Sequence, residues 1–387
     1  MPNPLVGLGA VFELIRQNAK VLPATGHAFE DLEKPDIDEV DDLLYHKDEE
    51  GGGRISAFAE SPEPDHHAIY FPTPKIHRNQ DHLFRFFVDG SFRTYMIGTG
   101  VEGTRSFPIQ LAQIGGAVVN REDDGSLKRH SSSFKILLVL APSDTLYNRL
   151  KTLESVLNNL GRFSFQVINY KAETVHPGLD FLDERNKAGG KIRHEMHLLE
   201  VDLIKTTDGQ RNENSWLILD GAVKLADFIN KPYIIGVAKS FSKNLEFHLG
   251  HGRGSRKADI TSILASLPHE HRTAAFSTYG GKVAFWFVRL REQKEVDYPL
   301  MGVVKVEIPV RPEYCDHTGK IRKELIDRLS SALVAERNVC PYGADTRWHC
   351  HLYPIYMAEK IIKTGFYSKE VLTGAIKWPK PQEAENA

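Results

Sequence analysis

The stretch HLFRFFVDGSFRTYMIGTG, residues 82–100, decides how this chain is read. Alternation puts Phe84, Phe86 and Val88 on one face of a strand and Arg85, Phe87 and Asp89 on the other. The apolar run stops at a carboxylate, Asp89. Gly90-Ser91 then predicts a tight turn, with FRTYMIGTG as the returning strand. IGGAVVN, residues 114–120, predicts a third strand, so the three form an antiparallel meander. The same pattern recurs about 130 residues later, where the apolar strand Trp216 to Leu219 also ends in Asp-Gly, at Asp220 and Gly221.

In α/β sheets functional groups gather where loops leave the strand ends. Two carboxylates brought together there repel each other unless a cation lies between them. Magnesium and manganese take oxygen ligands, and a carboxylate cluster suits them. Two such ions about 4 Å apart can hold the attacking and leaving oxygens of a phosphodiester cleavage. The plainer alternative is that both Asp-Gly pairs are turns, since both residues are common turn formers. Spacing alone leaves the two readings open.

Other elements follow outward from these strands. Residues 4–20 predict a short amphipathic helix, and the acidic stretch 30–53, ending in GGGR, predicts a loop or linker. FKILLVLA, then apolar residues at 146, 150, 153, 157 and 160, then RFSFQVINY, predict a β-α-β unit. KIRHEMHLLEVDLIK (191–205) predicts a second helix, and KPYIIGVAKS a buried strand ending near Lys239. VAFWFVRL and GVVKVEIPV predict a strand pair. Two closing helices follow, the second with Pro354 in its first turn.

Composition excludes several classes. Apolar content of 41% and charged content of 26% are ordinary for a soluble globular protein. A net charge of −2 means that any nucleic-acid binding must come from local basic patches. The N-terminus is too polar for a signal peptide and no run of eighteen apolar residues occurs, so a cytoplasmic protein without membrane spans is expected. Three cysteines, Cys315, Cys340 and Cys350, fit a reducing compartment rather than a disulfide framework. Cys340, His349, Cys350 and His351 cluster in sequence, but their spacing matches no standard zinc site.

The order FVDGSF, a helix carrying acids, WLILDGAVKLADFINKPYIIGVAKS and then YPIYMAEK resembles NurA-type nucleases over roughly residues 80–365. The resemblance implies an α/β fold with an RNase H-like mixed sheet: three antiparallel strands, then parallel strands with flanking helices. It implies manganese- or magnesium-dependent cleavage of DNA with two ions, a homodimer, and a HerA-type hexameric ATPase as partner in DNA end processing or anti-phage defence. Asp89 and Asp220 match the family's metal-binding aspartates. The family's helix glutamate falls on Glu195, with Glu200 ranked second because it would need a shorter loop before the next strand. Lys239 matches its lysine, expected near the scissile phosphate. The family's closing tyrosine and histidine fall on His351 and Glu359, a departure that leaves the last ligand open. Residues 1–80 lie before the resemblance; an amphipathic helix followed by an acidic segment there could dock a partner. Residues 81–310 would form the nuclease core, and 311–387 the closing helices and a polar tail.

Phosphate contacts need only charge and reach. Arg253, Arg256 and Lys257 in the Gly-rich loop, Lys75, His77 and Arg78 before the first strand, and Arg93 are therefore the candidates for DNA binding. Phe92 and Tyr95 are candidates for base stacking or for core packing. Two rival functions stand beside the nuclease. One is a nuclease-derived subunit that binds DNA or an ATPase without cutting, motivated by Glu359. The other is an actin- or sugar-kinase-like ATP-binding enzyme, with Gly280-Gly281 as a second phosphate loop.

Overall fold

In the computed structural model the chain does not turn at Gly90. Phe84–Glu102 is one strand of 19 residues, in which Gly90 pairs with Gly116 and Ser91 with Gly115 of the next strand. The hairpin instead turns at Gly103, whose φ of +59° glycine adopts without steric cost. Asp-Gly reads locally as a turn, but this strand has hydrogen-bonded neighbours on both sides, and that pairing overrides local preference. The structure describes residues 3–24, 54–76, 82–157, 160–171, 184–223, 225–241, 243, 245–249, 256–292, 300–336, 350–376 and 378.

Twelve strands of one mixed sheet carry the fold: β1 Lys20–Pro23, β2 Tyr70–Pro72, β3 Phe84–Glu102, β4 Arg105–Arg121, β5 Leu127–Leu140, β6 Ser164–Asn169, β7 Trp216–Asp220, β8 Ile234–Ala238, β9 His271–Thr273, β10 Phe276–Thr278, β11 Val283–Arg289 and β12 Val303–Pro309. Their order is β2-β9-β11-β12-β8-β7-β3-β4-β5-β6, with β1 on β3 and β10 on β11. The meander β3-β4-β5 is antiparallel, as the alternation predicts. β7 then pairs parallel to β3, and β8 parallel to β7. The expected β-α-β unit is present, with β6 parallel to β5.

Flanking helices are α1 Leu8–Asn18, α2 Asp144–Val156, α3 Glu184–Lys205, α4 Lys323–Ala335, α5 Tyr353–Gly365 and α6 Lys369–Ala375. α1 buries Leu8, Val11, Phe12 and Ile15, the helical period. α3 and α5 cover opposite faces of the meander, and the pair Gly115-Gly116 in β4 lets both come close. A Cβ on Gly116 would lie 2.6 Å from Leu203 of α3, and one on Gly115 would lie 2.9 Å from Ile362 of α5. The sheet is thus pinched between two helices at the level of Asp89, which pairs with Ala117.

Two strands from the described parts of residues 1–80 belong to this sheet, and the others pair in two smaller sheets. β1 extends it beside β3, β2 forms an edge beside β9, and Glu60 is fully buried against Arg272 at 2.9 Å. The acidic stretch 30–53 lies outside the described residues. A second, smaller core around Phe247, Ile263 and Phe276 underlies a three-stranded sheet that includes Glu246–Leu249 and Arg256–Asp259. Among the described residues no helix is long and apolar enough to cross a membrane.

The segment after β7 is held tightly. Val223 N–H donates to Glu307 of β12 at 2.8 Å, and Glu307 is paired with Lys305 at 2.7 Å. A Cβ on Gly236 of β8 would lie 2.6 Å from the Gly221 carbonyl oxygen and 3.0 Å from the Val223 nitrogen. Both are backbone atoms that cannot rotate away. Gly236→Ala is expected to lower stability by roughly 1–3 kcal/mol, the range for overpacking. A urea titration measures this, and an unchanged midpoint would show that the segment yields freely.

Candidate active site at the β3–β7 junction

β7 stops where β3 continues. Val88 is in register with Leu219, so Asp89 and Asp220 stand side by side on adjacent parallel strands. Adjacent strands lie about 4.8 Å apart, which places two carboxylates in mutual repulsion. The sequence puzzle of an acid closing a strand thus has a structural answer: Asp89 marks the end of its neighbour, not of its own strand.

Lys239, just beyond β8, neutralises the pair. Its Nζ donates to Asp220 Oδ2 at 2.6 Å and to Nδ1 of His351 at 2.9 Å. Because the ammonium can only donate, Nδ1 is an acceptor and Nε2 carries the proton. Nε2 then donates to Glu359 Oε2 at 3.1 Å, and the other Glu359 oxygen pairs with Lys363. A continuous chain of polar contacts therefore runs through Asp220, Lys239, His351, Glu359 and Lys363.

The titration behaviour follows from this packing. Burial pushes the Asp89 carboxyl well above its ordinary value, and Asp220, Glu200 and Glu359 push it further, against the pull of Lys239. Burial disfavours the Lys239 ammonium, but Asp220 and Asp89 outweigh it and raise its pKa. The hydrogen bond from His351, reinforced by Lys363, holds Glu359 down at about 2.

The acid-bearing helix α3 contributes Glu200, not Glu195. Glu200 is buried against Gly90, where a Cβ would lie 2.5 Å from its Oε1. Glu195 is also buried but faces β6, accepting from Gln166 Nε2 at 3.4 Å with Lys191 at 3.9 Å. Five residues at 3.6 per turn place the two about 140° apart around the helix, so only one can face the strand junction. Loop length before β7 favours Glu195 in the sequence, but tight turns on the helix end, from Thr206 to Ser215, take up that length.

Two further residues join the site without any sequence signal. His197, one turn before Glu200, lies 3.5 Å from its Oε2 and 2.7 Å from Asp227 Oδ2. Asp227 sits in a short helix, Leu225–Phe228, following β7.

The candidate DNA contacts scatter. Arg93 shares the Asp89 strand and is exposed, with its guanidinium 5.5 Å from the Phe366 ring. Lys75 pairs with Glu270 at 3.3 Å beside the edge strand β2, and Lys257 with Glu246 at 2.8 Å in the small sheet. Neither belongs to the Asp89 cluster. His77, Arg78 and Arg253, with Cys340 and His349, lie outside the described residues, as does the side chain of Arg256. Tyr95 is buried in the core, and Phe92 is partly buried beneath Arg193. Cys350 is buried, donates to the Val303 carbonyl at 3.3 Å, and has its thiol pushed up to about 11 by burial. Gly280-Gly281 forms a short turn between β10 and β11, beyond β12 and β8 from Asp89.

Among the described residues no three His, Cys, Asp or Glu side chains converge on a point that could hold a metal ion. The hydrogen bonds give the reason: Asp220 turns to Lys239, Glu359 turns to His351 and Lys363, and Glu200 lies against Gly90. The donor set itself, carboxylates gathered from two strands and two helices, is the type a hard divalent cation takes. No protein-family model matches the chain, and no curated protein matches it.

A raised carboxyl pKa destabilises the folded state once pH exceeds the unfolded value of about 3.9. The unfolded chain then releases a proton that the folded chain retains, and stability falls as pH rises toward the folded pKa. Asp89→Asn removes that penalty. In EDTA the variant is expected to melt above the wild type at pH 7, with the gap closing as pH falls toward about 4. Equal melting temperatures at both pH values would show that Asp89 carries no excess charge repulsion.

Proposed function

We propose that this chain is a metal-dependent deoxyribonuclease of the NurA type, built on an RNase H-like core. The observation that carries the reading is the Asp89–Asp220 pair on adjacent parallel strands, flanked by Lys239, with Glu200 and Glu359 brought by helices from either side. The strand order β5-β4-β3-β7-β8, three antiparallel and then two parallel, supports the fold assignment.

Asp89, Asp220, Glu200 and Glu359 are the residues that would hold manganese or magnesium, with two ions expected. Such ions supply an activated water and neutralise charge at the phosphodiester. Ligation requires Asp220 to release Lys239. Lys239, held by His351, would then present its ammonium to a phosphate oxygen and stabilise charge that develops there. Arg93, beside the Phe366 ring at the end of α5, and Lys363 of α5 would bind the DNA backbone. With a net charge of only −2 the chain has no global attraction for DNA. Delivery by a HerA-type hexameric ATPase to a cytoplasmic homodimer fits that balance, in end processing or phage defence.

One observation favours a second reading. Asp220 and Glu359 already have lysine and histidine partners, an arrangement that suits a nuclease-derived subunit binding DNA or an ATPase without cutting.

End-labelled linear and circular DNA, incubated with manganese, magnesium or EDTA, separates the two. Metal-dependent loss of linear DNA is expected for the wild type. Asp89→Ala and Asp220→Ala should each reduce it by more than the roughly 10–100-fold seen for partners that only support a ligand. Cleavage that survives both substitutions, or its absence even with the translocase added, would overturn the nuclease reading.

A further inference from the structure

His197 is buried, and its two ring nitrogens face two different carboxylates. Nε2 lies 2.7 Å from Asp227 Oδ2, and Nδ1 lies 3.5 Å from Glu200 Oε2. Its ring meets the Phe228 ring edge-on, 5.9 Å between centroids at 79°. Phe228 is fully buried, so the imidazole plane is fixed by packing as well as by hydrogen bonding.

The elements joined here are the ones that carry the site. Glu200 and His197 belong to α3, whereas Asp227 and Phe228 belong to the short helix that follows Asp220. On the far side, Glu200 Oε1 lies where a Cβ of Gly90 would intrude. The Glu200 carboxylate is therefore bounded on two sides: its Oε1 fills the space left by Gly90, and its Oε2 faces His197 Nδ1, which donates to it when the imidazole carries a proton there as well as at Nε2. A glutamate has three side-chain torsions, and a constraint on each oxygen is what fixes the outermost of them.

We propose that His197, anchored by Asp227, is a positioning residue. It sets the Glu200 carboxylate at a fixed distance from the Asp89–Asp220 pair and ties α3 to the segment after β7. The inference rests on the metal-site reading above. In that reading His197 touches neither metal nor substrate and acts only through Glu200, as partners of metal-ligating side chains commonly do.

Calorimetric titration of manganese into metal-free protein tests this without any cleavage assay. Asp89→Ala is expected to abolish binding. His197→Ala and Asp227→Asn are expected to weaken it roughly 10–100-fold. His197→Gln, whose amide can still donate to a carboxylate, should recover most of the loss, which a purely space-filling role would not produce. Melting temperatures in EDTA show whether each variant is folded, and Asp227→Asn and His197→Gln decide the matter if His197→Ala is not. Wild-type affinity in the folded His197→Ala or Asp227→Asn protein, with Asp89→Ala inactive in binding, would overturn this inference alone. A glutamine variant no better than alanine would do the same. No manganese binding by the wild type, or equal binding by Asp89→Ala, would overturn the underlying site reading and this inference with it.

Discussion

The repulsion between Asp89 and Asp220 is the constraint around which the rest of the molecule is arranged. Their strands are adjacent and parallel, in register one residue earlier at Val88 and Leu219, so neither acid can be moved away without unpairing the centre of the sheet. Burial raises the penalty, because low dielectric strengthens every charge interaction. Lys239 answers it from the next strand, and His351, Glu359 and Lys363 continue the polar chain across the C-terminal helix. Docking of α5 is therefore an electrostatic requirement of the strand junction as well as a hydrophobic one. α5 buries Ile355, Ala358 and Ile362 while carrying Glu359 to the same place.

Closeness of the two helices depends on small residues in the sheet. Gly115 and Gly116 point to opposite faces and admit α5 and α3 respectively. Gly90, opposite Gly116, leaves room on the α3 face for the carboxylate of Glu200. A glycine inside a strand weakens it and often marks close approach of another group. Here the weakening is offset by the length of β3 and β4, which pair over most of their 19 and 17 residues.

Much of the architecture was legible from periodicity, because burial imposes it directly. α1, α2 and α5 show the helical spacing, while the parallel β7 and β8 and the pair β11-β12 read as apolar runs. The pairing of Asp89 with Asp220 was legible as repetition of one motif at two strand-like runs. What failed was local: Asp-Gly at 89–90 has the composition of a turn, and pairing with Ala117 and Gly116 of β4 keeps it extended. The choice between Glu195 and Glu200 turned on rotation about a helix axis, which loop-length reasoning does not see. Lys75 and Lys257 each have an acid beside them on another element, which no local pattern shows. His197 carried no signal, because its partner Asp227 is 30 residues away on another element.

The two aspartates, though adjacent, are each tied to a different neighbouring strand. Asp89 pairs with Ala117 of β4, while the ladder to β7 ends one residue earlier, at Val88 and Leu219. Asp220 is the last residue of β7 and precedes Gly221, whose φ of +126° is open to glycine and strained for other residues. Beyond Gly221 the chain is tied down again at Val223, through Glu307. Asp220 itself pairs with Val237 of β8, and Gly221 N–H donates to the Val237 carbonyl at 3.1 Å. The lysine that offsets the two charges follows β8, the strand paired with Asp220, and it is Asp220 that it binds. Asp89 has its pKa raised because it is buried and surrounded by like charges.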